Sequence, residues 1–395
     1  MVKVFLRPGK DEPVRRFHPW VFSGAIARVE GDPADGDIAE VYDRRGELLG
    51  IGHFHHGSIA VRMLSFEPAD VEAEGFWVGR LENALKVRSV AIGFEEDAGF
   101  RLVHGEGDGL SGLIVDVYGA TAVVQCHSIG MHRQRTMIAT ALCRVFGEKL
   151  AAVYDKSKEA LPPKYAENQS DGYLWSKAET PDGSAVVSEN GIRFRVNWET
   201  GQKTGFFLDQ RDNRRLLARF APGKTVLNTF CYTGGFSCYA LKAGAALVHS
   251  VDVSAKAMEL TAENAALNEP RPGAHTCFTD DVMRFLKNTD MQYDVMIVDP
   301  PAFAKNLEKR HNAVQGYKRL NAAAFEKVAP GGILFTFSCS QVVDRQLFYN
   351  TIVAAALEAG RQVRVLHHLT QSADHPVNLF HPEGAYLKGL VLYVE

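Results

Sequence analysis

The sequence predicts an α/β protein whose C-terminal part is a doubly wound sheet of seven strands. From Thr225 onward, short apolar runs alternate with segments of helical periodicity, which is the order of elements in such a sheet. Residues 295–298 form an apolar run that is typical of a strand buried on both faces, and Asp299-Pro300-Pro301 ends it. Both prolines fix φ and lack an amide donor, so the strand must stop in a rigid turn.

Each element of this part is predicted from its apolar pattern and from the signals at its ends. Ser254, for example, can cap the helix that follows it. The predicted strands are 225–230, 247–253, 276–279, 293–299, 332–337, 363–369 and 386–394. The predicted helices are 236–243, 254–268, 282–287, 312–328 and 344–358.

Residues 1–68 are predicted to form a small β-barrel, because closely spaced short strands are separated by glycine turns. Arg15, Arg16 and Trp20 could supply charge and a stacking ring to RNA. For the rings of Trp20 and Phe22, the better interpretation is that they form the core of this barrel.

Residues 69–200 are predicted to form a second, mixed α+β domain that follows an acidic and polar linker. Helical patterns at 76–93 and 132–146 alternate with short strands, and Asn190-Gly191 is the turn of a hairpin. Glu106 and Asp108 lie in a glycine-rich turn, and we interpret them as solvated acids rather than as a catalytic pair. Residues 201–395 form the third predicted domain.

The composition is that of a globular cytoplasmic protein. The chain has 395 residues and a net charge of -3, which neither indicates nor excludes nucleic acid as a partner. Its six cysteines form no Cys-x-x-Cys pair and have no zinc spacing, so we expect reduced thiols and no bound metal. No segment has the pattern of a signal peptide or of a membrane span, and we therefore expect no membrane association.

A nucleoside cofactor site is predicted at the carboxyl ends of the first strands of the sheet. Gly234 and Gly235 allow close approach to a ligand where a helix begins, although the full Gly-x-Gly-x-x-Gly pattern of dinucleotide binders is missing. Asp252 ends the second strand, where an acid accepts hydrogen bonds from ribose hydroxyls. Asp281 follows the third strand and could meet an adenine edge. A nucleoside without phosphate indicates S-adenosylmethionine.

The next two strand ends offer a nucleophile and an acid. Cys339 stands between Ser338 and Ser340 at the end of a strand that neighbours the strand of Asp299. Carbon 5 of a pyrimidine becomes nucleophilic when a thiolate adds to carbon 6, whereas methylation of an exocyclic amine needs no thiol. Asp299 could stabilise the charge that builds on the ring. The alternatives are a methyltransferase for guanine N2 or adenine N6, and a non-catalytic RNA-binding assembly factor.

Several sequence runs together resemble the bacterial ribosomal RNA large-subunit (cytosine-5) methyltransferases. The resemblance covers nearly the whole chain, and its most specific run is Gly201 to Arg211. The matching runs are 18–26, 101–110, 201–211, 228–236, 299–305, 338–340 and 386–389. The family joins an RNA-binding PUA domain and a small central domain to a class I methyltransferase domain, and this arrangement is the one expected here.

The resemblance also implies roles for individual residues, and it implies that the protein is a homodimer. It makes Cys339 the attacking thiol and places Thr204, Phe206, Asp209 and Arg211 beside the cofactor. Pro301 and Ala302 stand where many RNA cytosine-5 enzymes carry a second cysteine, so product release must use another base or the target differs. The residues expected to bind the cofactor are Thr204, Phe206, Asp209, Arg211, Asn228, Phe230, Tyr232, Gly234, Asp252, Val253, Asp281 and Asp299.

Ribosomal RNA of the large subunit is the expected partner, and basic residues near the mouth of the site are expected to hold it. A solvated helix face explains any single one of these residues equally well. The residues predicted to bind RNA are Arg15, Arg16, Lys305, Arg310 and Lys318.

Overall fold

Two units make up the chain in the computed structural model, which describes residues 2–93, 97–179, 182–304 and 306–395. The first unit holds the residues up to Val187 together with Val196–Leu208 and Ala373–Gly384. The second holds Ser188–Arg195, Asp209–Ser372 and Ala385–Glu395. Among the described residues, no helix is both long and apolar enough to cross a membrane.

The N-terminal part of the first unit is a six-stranded sheet in the order β2-β6-β5-β4-β1-β3. β1 pairs in parallel with β4, and the other neighbours are antiparallel. Val4, Val41 and Val61 lie fully buried in its core. The elements are β1 (Val2–Leu6), α1 (Glu12–Arg15), β2 (Trp20–Phe22), β3 (Ile26–Glu30), β4 (Ile38–Tyr42), β5 (Leu48–Phe54) and β6 (Ile59–Ser65).

The prediction that Phe22 is a core residue is wrong. Phe22 ends β2, an edge strand, and its ring is 48% exposed. Trp20 is half-buried, and its indole N–H donates to Glu106 Oε1 over 2.8 Å. The apolar pattern of this short strand could not show that one end of it leaves the core.

A five-stranded sheet in the order β11-β10-β9-β8-β7 forms the rest of the first unit, with helices packed on it. The helix predicted at 132–146 is two helices that meet at Gln134, and the strand β11 has no counterpart in the sequence prediction. The elements are α2 (Glu74–Ala91), β7 (Gly99–His104), β8 (Leu113–Tyr118), β9 (Thr121–Cys126), α3 (Ile129–Arg133), α4 (Arg135–Phe146), β10 (Ala152–Asp155), α5 (Pro163–Ala166) and β11 (Gly172–Ser176).

Glu106 and Asp108 are not solvated acids, contrary to the sequence interpretation. The Asp108 carboxylate is buried and forms a two-pronged ion pair with the fully buried guanidinium of Arg88. Glu106 accepts from Ser111 Oγ over 2.7 Å and pairs with Arg62 over 3.4 Å. The partners come from distant parts of the chain, so the local glycine-rich pattern gave no sign of them.

The predicted hairpin is confirmed as β12 (Ser184–Glu189) and β13 (Ile192–Asn197), which pair with each other. Asn190 has φ 52° and Gly191 has φ 74°. Two successive positive φ values are what a two-residue turn between twisted strands requires, and Asn and Gly are the residues that adopt them most readily.

The second unit contains the predicted seven-stranded sheet, in the order β16-β15-β14-β17-β18-β20-β19. β20 runs antiparallel to both of its neighbours, and the remaining pairs are parallel. Its elements are α6 (Arg211–Leu217), β14 (Thr225–Thr229), α7 (Gly235–Lys242), β15 (Leu247–Asp252), α8 (Ala255–Leu267), β16 (His275–Thr279), α9 (Val282–Asn288), β17 (Tyr293–Val298), α10 (Arg310–Lys327), β18 (Val328–Ser338), α11 (Arg345–Glu358), β19 (Val363–Leu369) and β20 (Lys388–Val394).

Every strand predicted for this sheet is present, and most ends agree within two residues. β18 is longer than predicted, because it also includes residues 328–331 before the predicted start and Ser338 after the predicted end. The strand order reverses between β14 and β17, which is the position where ligands bind in doubly wound sheets. Asn228 and Asp299 lie at the ends of these two strands, so the sheet itself defines where to look for the site.

Candidate active site

The turn between β14 and α7 has an unusual backbone. Phe230 has φ 53° and Tyr232 has φ 48°, although neither is a glycine. Aromatic residues adopt the left-handed region only when their surroundings hold them there, and such residues concentrate at ligand sites. Asn228 at the end of β14 connects the two sides of the turn, because its buried side-chain amide donates to Ser237 Oγ in α7 over 2.9 Å.

Gly234 is required by close packing as well as by its φ of 77°. A Cβ on Gly234 would lie 2.6 Å from Thr261 Cγ2, a side chain that donates from Oγ1 to the Tyr232 carbonyl over 2.8 Å. The turn is therefore pressed against α8 and has no room for a side chain at this position. The sequence prediction gave a different reason for this glycine, the close approach of the backbone to a ligand.

Asp252 is fixed by the same turn. Its Oδ2 accepts from the Tyr232 amide over 3.1 Å, and its Oδ1 accepts from the Ser254 amide over 3.0 Å. Each carboxylate oxygen keeps a second lone pair, which suits the hydroxyls of a ribose. Val253 follows with an apolar side chain that is 67% exposed, next to the carboxylate. An exposed Val beside an anchored Asp offers a surface for a flat ring.

Asp281 has a structural role that the sequence left open. It is the N-cap of α9, where its Oδ1 accepts from the Arg284 amide over 2.9 Å, and it is exposed. Its predicted contact with an adenine stays a prediction.

Asp299 lies where β17 ends and receives one well-placed donor. Gln210 Nε2 donates to Asp299 Oδ2 over 2.9 Å, and Gln210 is in turn held by Asn213 Nδ2, which donates to its Oε1 over 2.6 Å. Burial, followed by the carboxylate of Asp209, raises the pKa of Asp299 to about 7. The carboxyl group can therefore exchange a proton near neutral pH. Gln210 escaped the sequence prediction, although it lies within the matching run 201–211.

Asp209 is held by an aromatic hydroxyl from the far end of the chain. Tyr386 donates to Asp209 Oδ2 over 2.6 Å, and Asp209 Oδ1 is buried without a hydrogen-bond partner among the described residues. A buried carboxylate oxygen without a donor is costly, so it marks a position where a ligand donor would be stabilising. This fits the prediction that Asp209 contacts the cofactor.

Cys339 follows β18 in a loop that is tied down on both sides. Its neighbour Ser340 donates from Oγ to the Ala304 carbonyl over 2.8 Å. The ammonium of Lys388 donates to the carbonyls of Ser340 over 2.6 Å and Val343 over 2.7 Å. Lys388 is buried and was not predicted as a site residue; the run 386–389 was the signal that contained it.

The electrostatics of the Cys339 thiol follow from these neighbours. Burial raises its pKa to about 11, and the carboxyl groups of Asp299 and Asp209 act in the same direction. Lys388 opposes this shift, and burial lowers the pKa of Lys388 itself to about 8. The thiol is thus protonated at neutral pH. The two residues predicted to be catalytic follow the neighbouring parallel strands β17 and β18, and their catalytic role stays a prediction.

A buried ion pair supports α6, the helix that begins at Arg211. Arg214 donates to both oxygens of Glu189, over 2.8 and 2.7 Å, and both side chains are almost completely buried. Tyr239 donates to Glu189 Oε1 over 3.0 Å, and Arg211 approaches the same carboxylate at 3.9 Å. Arg211, a predicted cofactor residue, therefore takes part in the scaffold behind the site.

Thr204 and Phe206, also predicted to bind the cofactor, belong to the first unit. Both are buried, and Thr204 Oγ1 donates to Asp116 Oδ2 over 2.5 Å and lies 3.0 Å from the Tyr118 hydroxyl. Their contact with the cofactor stays a prediction.

The residues predicted to bind RNA are mostly paired with acids. Arg15 contacts the carboxylates of Asp11, Asp43 and Glu47 at 2.8, 3.0 and 2.7 Å. Arg16 pairs with Glu12 over 2.5 Å, and Lys318 with Glu358 over 2.7 Å. Arg310 is exposed at the start of α10, and Lys305 lies outside the described residues. Their role in RNA binding stays a prediction.

Three features define a class I S-adenosylmethionine-dependent methyltransferase. They are a seven-stranded sheet with an antiparallel last strand, a glycine turn after its first strand and an anchored acid after its second strand. Comparison with known families agrees with this class. Residues 160–380 match the S-adenosylmethionine-dependent methyltransferase family, and residues 4–66 match the PUA-like domain.

Curated relatives give a narrower family. The chain is 39% identical to the ribosomal RNA large subunit methyltransferase I of Aeromonas hydrophila over 394 residues, which cover 98% of each chain. It is 39% identical to the protein of the same name from Alteromonas mediterranea over 396 residues, which cover 99% of this chain and 98% of the relative. The chain belongs to this family of S-adenosylmethionine-dependent methyltransferases.

Solved structures agree with the fold over the full length. A putative S-adenosylmethionine-dependent methyltransferase from Streptococcus mutans has a TM-score of 0.84 and 21% identity, and covers 100% of both chains. A putative methyltransferase solved in complex with SAH has a TM-score of 0.85 and 22% identity, with the same coverage. The predicted fold class and cofactor are thereby confirmed.

Proposed function

We propose that this protein methylates carbon 5 of a cytosine in large-subunit ribosomal RNA, through a thiolate adduct of Cys339. The name of its relatives supports the RNA substrate. The observation that supports the choice of carbon 5 is that Asp299 and Cys339 follow the neighbouring parallel strands β17 and β18, and that the Asp299 carboxyl group raises the pKa of the thiol. An exocyclic amine would not need a thiol at this position, because its nitrogen has its own lone pair.

The residues around the cofactor fit S-adenosylmethionine, which supplies the electrophilic methyl group when bound. Each Asp252 oxygen keeps a lone pair for the ribose hydroxyls beside its bond to a backbone amide. The buried Asp209 Oδ1, which has no hydrogen-bond partner among the described residues, offers an acceptor for a cationic or N–H group.

Chemistry at the base begins with loss of the Cys339 proton. Asp299, with a pKa of about 7, is the neighbouring group that can accept it. The thiolate sulfur then bonds to carbon 6 while the ring electrons move toward N3, where the protonated Asp299 carboxyl donates a hydrogen bond. This pair of steps makes carbon 5 nucleophilic. Gln210 keeps the Asp299 carboxyl aimed at the base.

Lys388 acts on the thiolate in two ways. Its two carbonyl contacts fix the loop that carries Cys339, and its positive charge favours the ionised thiol. A target base has to leave its stack, because the enzyme must reach its ring from both faces.

The decisive experiment supplies labelled S-adenosylmethionine and large-subunit ribosomal RNA to the wild type and to Cys339→Ser, and maps the methylated position by mass spectrometry. We expect 5-methylcytosine from the wild type and none from the variant. A methyl group on guanine N2 or adenine N6, formed by both proteins, would contradict the proposal. Cofactor binding without transfer to any RNA would favour an assembly factor.

Alkylation of Cys339 by iodoacetamide tests the electrostatics without any substrate. Asp299→Asn removes a carboxylate that raises the pKa of Cys339, so we expect severalfold faster alkylation at pH 8. Below pH 6 the wild-type Asp299 is mostly protonated, and the difference should fade. Methyl transfer by the same variant should fall, because the proton acceptor is lost. The modified thiol is identified by peptide mass spectrometry.

Lys388→Met is the matched variant, and we expect it to change the alkylation rate of Cys339 in the opposite direction to Asp299→Asn. It removes a charge that lowers the pKa of Cys339, so alkylation at pH 8 should become slower. Equal alkylation rates in the wild type and both variants would show that neither group acts on the thiol.

A further inference from the structure

A group of two histidines and one glutamate lies in the first unit, apart from every residue used above. The ligand atoms of His18, His381 and Glu383 all lie within 4.8 Å of one another. His18 precedes β2, while His381 and Glu383 belong to the segment Ala373–Gly384 near the other end of the chain. Because the two histidines are 363 positions apart in the sequence, no metal-binding spacing was visible there.

His381 is the most informative member. It is 2% exposed, and neither ring nitrogen has a hydrogen-bond partner in the part of the chain that the structure describes. Leaving a buried polar group unpaired costs about 1–3 kcal/mol, so a native structure rarely keeps one without a reason. Its ring is fixed against Trp20, with the ring centroids 4.3 Å apart.

His18 Nδ1 lies 3.2 Å from both the amide nitrogen and the carbonyl oxygen of Trp20. It accepts from the amide in one tautomer and donates to the carbonyl in the other, and the second tautomer leaves Nε2 free to bind a metal. Nε2 is the atom that faces the carboxylate, 3.9 Å from Glu383 Oε1. Metal-bound histidines commonly donate their other N–H to a backbone carbonyl in this way.

Glu383 completes a set of two nitrogens and one carboxylate. Its Oε2 lies 3.9 Å from His381 Nε2, and its side chain is 55% exposed. Ligands of a tetrahedral Zn²⁺ lie about 3.4 Å apart, so the group has to close by roughly 1 Å. An exposed glutamate can make this movement by rotating its side chain. The nearby cation Arg62 is balanced by Glu106, which pairs with it over 3.4 Å.

A pocket of about 380 Å³ reaches one member of the group, because it is lined by Glu12, Pro13, Arg16, His18 and Phe380. The carboxylate of Glu383 is itself half-exposed. Two imidazoles and a carboxylate are a ligand set that zinc prefers over magnesium or calcium, which take oxygen ligands.

We propose that His18, His381 and Glu383 bind a divalent transition metal, with Zn²⁺ the best fit, and that water fills the fourth position. The ion ties the segment Ala373–Gly384 to the start of β2 within the first unit. The ion also binds one ring nitrogen of His18 and one of His381. This site takes no part in the methyl transfer proposed above.

Calorimetric titration of the chelator-treated full chain with Zn²⁺ tests the site. We expect one ion per chain, and affinity weakened on the order of 100-fold in both His381→Gln and Glu383→Gln, since loss of even an outer-shell partner costs about 10–100-fold. Glu383→Gln matters because its exposed side chain is not needed for folding. His368→Gln, an exposed histidine on β19, is the control and should bind as the wild type does.

The visible spectrum of bound Co²⁺ separates this site from the six cysteines. Nitrogen and oxygen ligands give d–d bands without the intense thiolate charge-transfer band that cysteine ligands produce. Absence of binding by the wild type would overturn the proposal. So would a thiolate band, or binding that is unchanged in both ligand variants.

Discussion

Cys339→Ala is expected to lower the single-turnover rate of methyl transfer by on the order of 10³-fold or more, because the reaction loses its nucleophile. Without the thiolate, carbon 5 of cytosine stays too weak a nucleophile to accept the methyl group. Cofactor affinity should change little, since Asp252 and the turn at Gly234 do not involve this side chain. Rates are measured with enzyme in excess over RNA, and cofactor affinity by calorimetry.

RNA that contains 5-fluorocytosine provides a second measurement of the same prediction. Fluorine cannot leave as the proton does, so the wild-type enzyme should stall as a covalent adduct on the denaturing gel, and Cys339→Ala should form none. Cys143→Ala is the control, because Cys143 lies in the first unit and is only partly buried. An adduct formed equally well by Cys339→Ala would show that another group attacks the base.

Glu189→Gln should destabilise the second unit by about 3–5 kcal/mol, since it leaves the buried guanidinium of Arg214 without a counter-charge. Tyr239 would also lose its strongest acceptor. The unfolding midpoint in urea should fall accordingly when it is followed by far-UV circular dichroism. Tryptophan fluorescence is unsuited, because Trp20, Trp77, Trp175 and Trp198 all lie in the first unit.

The matched control is Glu263→Gln, which breaks an exposed ion pair with Arg195. Exposed pairs contribute about 0–1 kcal/mol, so its midpoint should scarcely move. Equal effects of the two substitutions would mean that the buried pair is no more important than a surface one. Because α6 carries Arg211 and follows Gln210, Glu189→Gln should also weaken cofactor binding.

The sheet was predictable because its signals are local. Apolar runs without alternation, such as the one that ends at Asp299, and helix caps such as Ser254 are read from neighbouring residues alone. The same holds for Gly234, where a turn forces a glycine, and for the Asn190-Gly191 hairpin. Cys339 and Asp299 were predicted as partners because neighbouring parallel strands end at one edge.

The burial and the contacts of several residues could not be predicted from the sequence, because they depend on groups that are distant along the chain. The sequence pattern predicts that Phe22 is a core residue, and only the edge position of β2 shows that it is exposed. The pattern likewise predicts a solvated Asp108, and only the fold shows its ion pair with Arg88. Gln210 and Lys388 are ordinary polar residues in sequence, and they become important through their contacts with Asp299 and with the Cys339 loop.

The sequence by itself determined the class of fold, the order of the strands that carry the site, the cofactor and the residue types available for chemistry. Tertiary structure alone decided the charge state of those residues. Burial and neighbouring carboxylates set the pKa values of Asp299 and Cys339, and burial leaves His381 without a partner beside His18 and Glu383. Desolvation and charge interactions act through space, so no local pattern of residues encodes them.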